Sequence, residues 1–346
     1  MNREGKAMRA RARTALATGF VLLGGFLTAA LAQSDQSKNP PSGLHPDLND
    51  PRIAGDFDYG VCRGTDPKCY HDWAHEERSN PPRVLIYSRT AGPRHANLGP
   101  RMTSGLNPPL TPAHVVQNAL IRWLAAKGVE ADWTEDVTRI SSLHRYRAVI
   151  FASTSRDTLF AHGRAIDPAL AVNTSTSAHL DAAKTALRQY MRAGGAFVGI
   201  HNAFGTEYNW PYYEGLLGNA NYYDHGANQN GDAVVVAKDS STEGLPARWP
   251  FRDEWYNLRP FPTNVKFLVN VDEESLATRR EIHPGHGKFH PVAWCQYYDG
   301  GRVWVTTLGH DGQAFTDGSS FPGQAQFQSL ITNGILSAMG LLPFCT

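Results

Sequence analysis

Short apolar runs recur along the chain, and several lack the alternation of polar and apolar residues that a half-exposed strand shows. Arg83–Ser88, Ala148–Ala152 and Ala196–Ile200 are runs of this kind, which are typical of strands buried on both faces of a parallel sheet. Glu130–Thr134 is predicted as a further strand between the first two.

Amphipathic segments separate these runs. One extends from Thr111 to Gly128, with threonine at the cap and proline in the first turn. A second spans Ser177–Ala193, and Gln324–Met339 closes the chain as a third. The repeated order of strand, helix and strand predicts right-handed crossovers and therefore a doubly wound α/β sheet.

The order of elements changes in the C-terminal third. Strands are predicted there at Ala233–Ala237, Val265–Val271, Pro291–Tyr298 and Arg302–Leu308. The last two are joined by Asp299-Gly300-Gly301, a hairpin signal, so we expect them to be antiparallel. We therefore predict one α/β domain over residues 83–346, with a doubly wound, mostly parallel sheet and an antiparallel C-terminal extension.

The first 82 residues have a different character. Residues 1–32 combine a basic start, an uncharged apolar stretch and an Ala-Leu-Ala ending, which predicts a secretion signal peptide cleaved before Gln33. We therefore expect a secreted or periplasmic protein with no membrane contact after cleavage, and a retained anchor formed by residues 15–32 is the alternative. Residues 33–82, rich in Pro, Gly, Asp and Asn, predict an extended N-terminal arm.

The four cysteines lie in the part of the chain predicted to be exported, where they allow three disulfide pairings. Cys62 and Cys69 flank a short turn-forming run, which favours a disulfide between them. Cys295 would then pair with Cys345 and tie the C-terminus to the core. Two buried thiols are the alternative for that second pair.

Charge and missing motifs exclude several classes of partner. The 346 residues contain 33 Lys and Arg against 32 Asp and Glu, and the basic excess lies in the predicted signal peptide, so we expect no nucleic-acid surface. The sequence has no Gly-x-Gly-x-x-Gly after the first strand, no phosphate loop and no Gly-x-Ser-x-Gly. A small-molecule partner other than a nucleotide is therefore expected, and nothing indicates the oligomeric state.

Polar residues follow several predicted strands, where ligand sites of open α/β sheets lie. His95 follows the first strand, Asp136 the second, His201 and Asn202 the fourth, and His310 the last. His201 stands at a strand-to-helix corner, where a histidine suits a general base or a metal ligand. A histidine that only orders its loop is the alternative.

A pair of carboxylates precedes a run of aromatic and amide residues in Asp253-Glu254-Trp255-Tyr256-Asn257. Adjacent side chains on an extended chain point to opposite sides. We therefore assign Glu254 to the site and expect its neighbour to pair with Arg252 or Arg259.

Two histidines lie at one end of the predicted hairpin. His290 begins one strand and His310 follows the end of its partner. We predict that His201, His290 and His310 bind a divalent metal ion such as Zn²⁺, or that they form part of a metal-free sugar pocket.

Aromatic residues accompany these polar groups. Rings beside Asn, Asp and His side chains suit a carbohydrate, whose C–H faces stack on them, and packing in the core is the competing explanation. The residues predicted to bind the carbohydrate are His95, Asp136, Asn202, Trp210, Tyr256 and Trp294.

Taken together, these segments resemble the trehalose-utilization ThuA-like family. The resemblance extends from about Arg83 to Met339 and is carried by Arg94-His95, Thr134-Glu135-Asp136, Gly194–His201, Asp253–Tyr256, His290–Trp294 and Leu308-Gly309-His310. It implies a fold similar to class I glutamine amidotransferases, in which His201 occupies the corner of the catalytic cysteine, so glutamine hydrolysis is not expected. The insertion Phe160–Ser175 and the cysteine-containing arm depart from the family pattern.

The resemblance also implies action on trehalose-like disaccharides or their 3-keto derivatives. A 3-keto group acidifies the C2 proton, so a base and an electrophile at the carbonyl permit elimination of the glycosidic oxygen. We assign His201, Glu254, His290 and His310 to catalysis. A non-catalytic sugar-binding protein is the rival, and hydrolysis of an unoxidised glycoside, which needs two carboxylates about 5–10 Å apart, is the third hypothesis.

Overall fold

The strands predicted from the apolar runs are all present in the computed structural model, which describes residues 57–58, 61–73, 80–160, 177–208, 210–278 and 283–346. The strands of this part of the chain are β1 (Phe57–Asp58), β2 (Val61–Gly64), β3 (Arg83–Tyr87), β4 (Glu130–Thr134), β5 (Ala148–Ala152), β6 (Ala196–Ile200), β7 (Tyr222–His225), β8 (Gln229–Val235), β9 (Arg248–Asp253), β10 (Tyr256–Leu258), β11 (Lys266–Asp272), β12 (His290–Tyr298) and β13 (Gly301–Thr306). The α-helices are α1 (Val115–Ala125), α2 (Ser177–Arg192), α3 (Pro211–Leu216) and α4 (Gln324–Ala338).

One mixed sheet of eleven strands organises the fold. Its main path has the order β4, β3, β5, β6, β13, β12, β11, β8, β9. The first five strands are parallel to their neighbours, and the rest of the path is antiparallel. β2 pairs with the end of β12, β1 pairs with β2, and β7 and β10 form a separate ribbon. The predicted α/β sheet with its antiparallel C-terminal extension is therefore confirmed.

Burial on both faces of the sheet explains why the parallel strands show no polar alternation. In β3, Val84 and Ile86 belong to the apolar cluster that contains α1 and α4, whereas Leu85 and Tyr87 belong to the cluster that contains α2. All residues of β5 and β6 are buried. Burying one Val, Leu or Ile side chain stabilises a fold by roughly 1.5–3 kcal/mol, so these strands require apolar residues at successive positions.

Several elements differ from the prediction, since β1, β2, β7, β10 and α3 were not expected, and α1 and β9 differ for identifiable reasons. Helix α1 begins at Val115 rather than just after Thr111, because His114 Nδ1 accepts a hydrogen bond from the Thr111 backbone N–H at 2.9 Å and closes a turn first. Strand β9 was not predicted. Its residues alternate between exposed and buried, and it contains Pro250, which a strand at the end of a sheet tolerates.

The hairpin between β12 and β13 has the expected turn. Tyr298 pairs with Gly301, which leaves Asp299 and Gly300 as the two turn residues. Their φ angles are 48° and 91°. Positive φ at both positions is the requirement of a type I′ turn, which favours glycine at the second.

Two disulfides cross-link the chain, Cys62–Cys69 and Cys295–Cys345. Both predicted pairings are therefore confirmed, and they indicate that the protein matures in an oxidising, extracellular or periplasmic environment. The predicted signal peptide, residues 33–56 of the arm and residues 161–176 of the insertion lie outside the described residues. No helix of the described part is both long enough and apolar enough to span a membrane.

Candidate active site

Four ionisable side chains meet where four different strands end. His95 follows β3, His201 follows β6, Glu254 follows β9 and His310 follows β13. Each side chain contributes one nitrogen or oxygen atom, and these four atoms lie within 4.8 Å of one another. The structure therefore brings His201, Glu254 and His310 together, and it adds His95 to them.

His201 occupies a strained corner at the end of β6. Its φ is 51°, in the left-handed region that few residues other than glycine adopt, and its side chain is fully buried. Nδ1 lies 2.8 Å from the carbonyl oxygen of Thr307. Because a carbonyl oxygen can only accept, Nδ1 carries the proton and Nε2 presents its lone pair to the site.

Two groups face this lone pair. The Tyr256 hydroxyl donates to His201 Nε2 at 2.9 Å, and Nε2 of His95 lies 3.1 Å away. His201 therefore acts from a fixed orientation, with one nitrogen anchored to the backbone and the other directed at its neighbours.

Asp253 anchors the loop that carries His310. Its fully buried carboxylate accepts hydrogen bonds from the backbone N–H groups of Gly309 at 2.7 Å, His310 at 3.2 Å and Glu254 at 2.8 Å. The expectation that Asp253 pairs with Arg252 or Arg259 was wrong, because three backbone donors occupy its oxygens.

The hydrogen bond between Asp253 and Gly309 also shows that the sheet is curved. β9 is four strands from β13 in the sheet order, and a flat sheet with strands about 4.8 Å apart would separate the two by about 19 Å. The 2.7 Å hydrogen bond between Asp253 and Gly309 therefore requires the antiparallel extension to curl back, which carries Glu254 to the end of β13.

We expect Asp253→Asn to lower the free energy of unfolding by about 2 kcal/mol, because an amide nitrogen cannot accept and an unpaired buried donor costs about 1–3 kcal/mol. Urea denaturation followed by tryptophan fluorescence measures the loss. The carboxyl-to-amide change Glu243→Gln, at an exposed position, is the control, with an expected change below about 0.5 kcal/mol. A loss for Asp253→Asn no larger than that of the control contradicts the anchoring role.

Glu254 connects two histidines at the mouth of the site. Its Oε2 lies 3.0 Å from His310 Nδ1 and 3.6 Å from His225 Nε2. His225 Nδ1 donates to the carbonyl oxygen of Gly226, so Nε2 of His225 bears the lone pair and faces the carboxylate.

Burial and mutual charge set the protonation of the cluster. Burial lowers the pKa of His201 well below its ordinary value, and burial together with the charge of His310 lowers the pKa of His95 to about 4. Burial also raises the pKa of Glu254, but the adjacent His310 outweighs it and leaves that pKa below its usual value. Burial lowers and Glu254 raises the pKa of His310, and the carboxylate prevails. His95 and His201 are therefore neutral imidazoles beside an ionised carboxylate.

A cleft of about 220 Å³ opens beside the cluster. Tyrosines form part of its wall, and Arg156 and Asn202 add polar groups. Ligand pockets for drug-sized molecules measure about 300–1,000 Å³, so this cleft matches a single sugar ring. Two larger depressions, of about 380 and 570 Å³, lie beside Arg248 and beside the C-terminus. The described residues that line them do not include His95, His201, Glu254 or His310.

The structure does not bring His290 into the cluster. Its ring is buried, with Nδ1 2.7 Å from Glu273 Oε1 and Nε2 2.9 Å from the backbone oxygen of Tyr256. Both nitrogens are therefore used, although His290 and His310 lie at the same end of the hairpin as expected. His290 supports the site through the backbone of Tyr256, whose hydroxyl contacts His201.

Of the six residues predicted to bind the carbohydrate, three line the cleft, and Asp136, Trp210 and Trp294 are not among the described residues that line it. His95, Asn202 and Tyr256 line the cleft. Trp294 is fully buried and donates to the Leu217 carbonyl, and Trp210 stacks on Tyr212. Asp136 accepts from the backbone of Thr138 and Gly105 and caps a short helix.

The residues that line the cleft but were not assigned to the site from the sequence include Arg156, Tyr208, Tyr222 and His225. His225 ends β7, where it pairs with Tyr256 of β10. These two strands are too short to give a periodic pattern, so the signal that was available was the local density of aromatic residues and histidine from Trp210 to His225.

The ThuA family model, described as trehalose utilisation, matches residues 83–338. The chain therefore belongs to the ThuA family. This confirms the resemblance, and the α/β sheet is of the fold class expected of a ThuA-family chain. Among the curated proteins, none matches the sequence significantly.

Solved structures agree with the assignment to ThuA. A ThuA-like protein from Bacteroides uniformis is 20% identical, with a TM-score of 0.52 and coverage of 74% of this chain and 91% of that chain. A ThuA-like protein from Parabacteroides merdae is 16% identical, with a TM-score of 0.48 and coverage of 74% and 89%. The first of these shows that the two proteins share a fold.

Proposed function

We propose that this ThuA-family chain is an exported carbohydrate-active enzyme that cleaves the 3-keto derivative of a trehalose-like disaccharide by elimination. The observation that carries the proposal is the convergence of His95, His201, Glu254 and His310 beside a cleft of sugar-ring size. The family description as trehalose utilisation supports the substrate class. The two disulfides and the basic, apolar first 32 residues support export.

The reaction that we propose needs no strong acid and no redox partner. The 3-keto group makes the C2 proton acidic, and a base removes it to form an enolate. The enolate electrons then form the C1–C2 double bond as the glycosidic C1–O bond breaks, and the departing sugar oxygen takes up a proton. The products are an unsaturated keto-sugar and a free sugar.

We assign the proton acceptor to His225. Its Nε2 lone pair faces the cleft beside Glu254 Oε2 at 3.6 Å, and the carboxylate stabilises the imidazolium that forms when the proton is taken. Glu254 thus remains the proton-transfer partner, in contact with His225. His201 is fully buried, which disfavours it as the base.

The keto oxygen is placed beside the imidazoles of His95 and His310, which are both partly exposed at the site. Tyr208, Tyr222 and Tyr256 offer rings and hydroxyl groups to the sugar, and Arg156 and Asn202 offer hydrogen-bond donors for its hydroxyl groups. Hydrolysis of an unoxidised glycoside fits less well, since Glu254 supplies the one carboxylate among the described residues that line this cleft and that mechanism needs two.

The test compares trehalose with 3-ketotrehalose, using NMR to follow both sugar release and exchange of the C2 proton in D₂O. We expect turnover of the keto-sugar with C2 exchange, and none of trehalose. Turnover of trehalose alone contradicts the proposal in favour of a hydrolase. Binding of either sugar with no turnover of either contradicts it in favour of a binding protein.

A further inference from the structure

Two nitrogen atoms of the cluster, His95 Nδ1 and His310 Nδ1, lack within the described residues the hydrogen bonds that buried polar atoms usually make. Nε2 of His95 and Nε2 of His201 lie 3.1 Å apart. His201 Nε2 bears a lone pair and already accepts from the Tyr256 hydroxyl. His95 Nδ1 is buried and has no hydrogen-bond partner among the described residues. Unpaired buried polar groups are rare and call for an explanation, and the nitrogen of His95 that would bind an ion here is Nε2, on the side of His201.

His310 shows the same feature on the other side of the cluster. Its Nδ1 lies 3.0 Å from Glu254 Oε2, but the contact is not aligned as a hydrogen bond, and Nδ1 has no other partner in the described part of the chain. A nitrogen and a carboxylate oxygen at this distance are also close enough to be two ligands of one ion.

The separations match a metal coordination shell. Four ligands about 2.1 Å from a tetrahedral Zn²⁺ ion lie about 3.4 Å from one another. The donor pairs of this cluster lie 3.1 Å, 3.0 Å and 4.0 Å apart for His95 with His201, His310 with Glu254, and His201 with Glu254. No pair of the four donor atoms exceeds 4.8 Å.

The surroundings also have the features of a metal site. A metal-bound histidine usually donates its second N–H to a carbonyl or carboxylate, which fixes its tautomer, and His201 donates to the Thr307 carbonyl oxygen. Asp253 holds the backbone of both Glu254 and His310.

We propose that His95, His201, His310 and Glu254 bind one divalent transition-metal ion, with Zn²⁺ as the ion that this nitrogen and carboxylate donor set suits best. His95 takes the place that the sequence analysis gave to His290. The proposal that this site binds an ion does not depend on the proposed function. A catalytic role for the ion does depend on the proposed function. When bound, such an ion supplies a Lewis acid for the keto oxygen, while His225 remains outside the ligand set as the base.

The experiment uses the full chain, exported and free of any affinity tag, because a histidine tag would itself bind metal. The protein is stripped with a chelator, dialysed and titrated with ZnCl₂ by isothermal calorimetry, and its metal content is measured by mass spectrometry. We expect about one ion per chain. His95→Ala and His310→Ala are each expected to weaken binding at least 100-fold, whereas His144→Ala, an exposed histidine outside the cluster, leaves it unchanged.

A second measurement uses the wild-type protein alone, so that its result does not depend on whether the variants fold. Co²⁺ added to the stripped wild-type protein gives the intense visible absorption of a four- or five-coordinate ion if the site exists, and Zn²⁺ abolishes it. Stripped protein that binds no ion, or variants that bind as tightly as the wild type, overturns the proposal. Metal bound at this site without turnover of 3-ketotrehalose leaves the metal site standing and contradicts only the proposed function.

Discussion

The His225→Asn variant is expected to eliminate sugar from 3-ketotrehalose about 10³-fold more slowly than the wild type, within the 10²–10⁴-fold range of a lost general base. His225 Nε2 faces the cleft and Glu254, and asparagine has no group there that can take a proton. Because His95, His201, Glu254 and His310 remain, as do the residues besides His225 that line the cleft, we expect kcat to fall and KM to change little. NMR measures both sugar release and C2 exchange.

His283→Asn is the matched control for this prediction. His283 is partly exposed, and it does not line the cleft, so we expect wild-type kcat. Circular dichroism establishes that both variants are folded. A kcat for His225→Asn within threefold of the wild type contradicts the assignment of His225 as the base. Loss of sugar release with unchanged C2 exchange also contradicts it and indicates that His225 gives a proton to the departing sugar oxygen instead.

Removal of the Cys295–Cys345 disulfide is expected to lower the free energy of unfolding by about 4 kcal/mol. The bond closes a loop with a sequence separation of 50 residues, and the chain-entropy model assigns about 4 kcal/mol to a loop of that length. Urea denaturation of the double variant Cys295→Ala with Cys345→Ala measures the effect.

The second disulfide provides the comparison. Cys62 and Cys69 are separated by 7 residues, so the same model assigns about 2 kcal/mol to their bond. The corresponding double alanine variant is therefore expected to lose about half as much stability. Equal losses for both variants, or a larger loss for the shorter loop, contradict the entropic explanation and indicate that local packing determines the effect.

Much of the site could be predicted because the carboxyl ends of parallel strands meet at one edge of a sheet. That rule selected His95, His201 and His310 directly. It assigned His95 to carbohydrate binding and not to the metal site, because nothing in the local sequence says that its ring turns toward His201. Glu254 was selected by the alternation of side chains on an extended chain. The same alternation placed Asp253 outside the cleft, but it did not show that backbone N–H groups are the hydrogen-bond partners of Asp253.

The rule failed where a side chain had another way to satisfy its polar atoms or bury its apolar surface. His290 lies at the correct end of the hairpin, but Glu273 and the Tyr256 carbonyl occupy both ring nitrogens. Trp294 lies in the same segment and is packed in the core against Phe204. A sequence shows that a histidine or an aromatic ring is near a site, and it does not show which face of the sheet the side chain takes.

The amino-acid sequence by itself determined the α/β class, the bounds of the parallel strands β4, β5 and β6 and the β12–β13 hairpin, and it favoured the Cys62–Cys69 disulfide. These features depend on local pattern: a strand buried on both faces needs successive apolar residues, and a tight hairpin turn needs positive φ. Only the tertiary structure decided which ionisable groups meet. Glu254 reaches His201 because the antiparallel extension curls back and is held there by the buried Asp253 carboxylate. Such contacts between distant segments depend on sheet curvature and buried hydrogen bonds that no local pattern encodes.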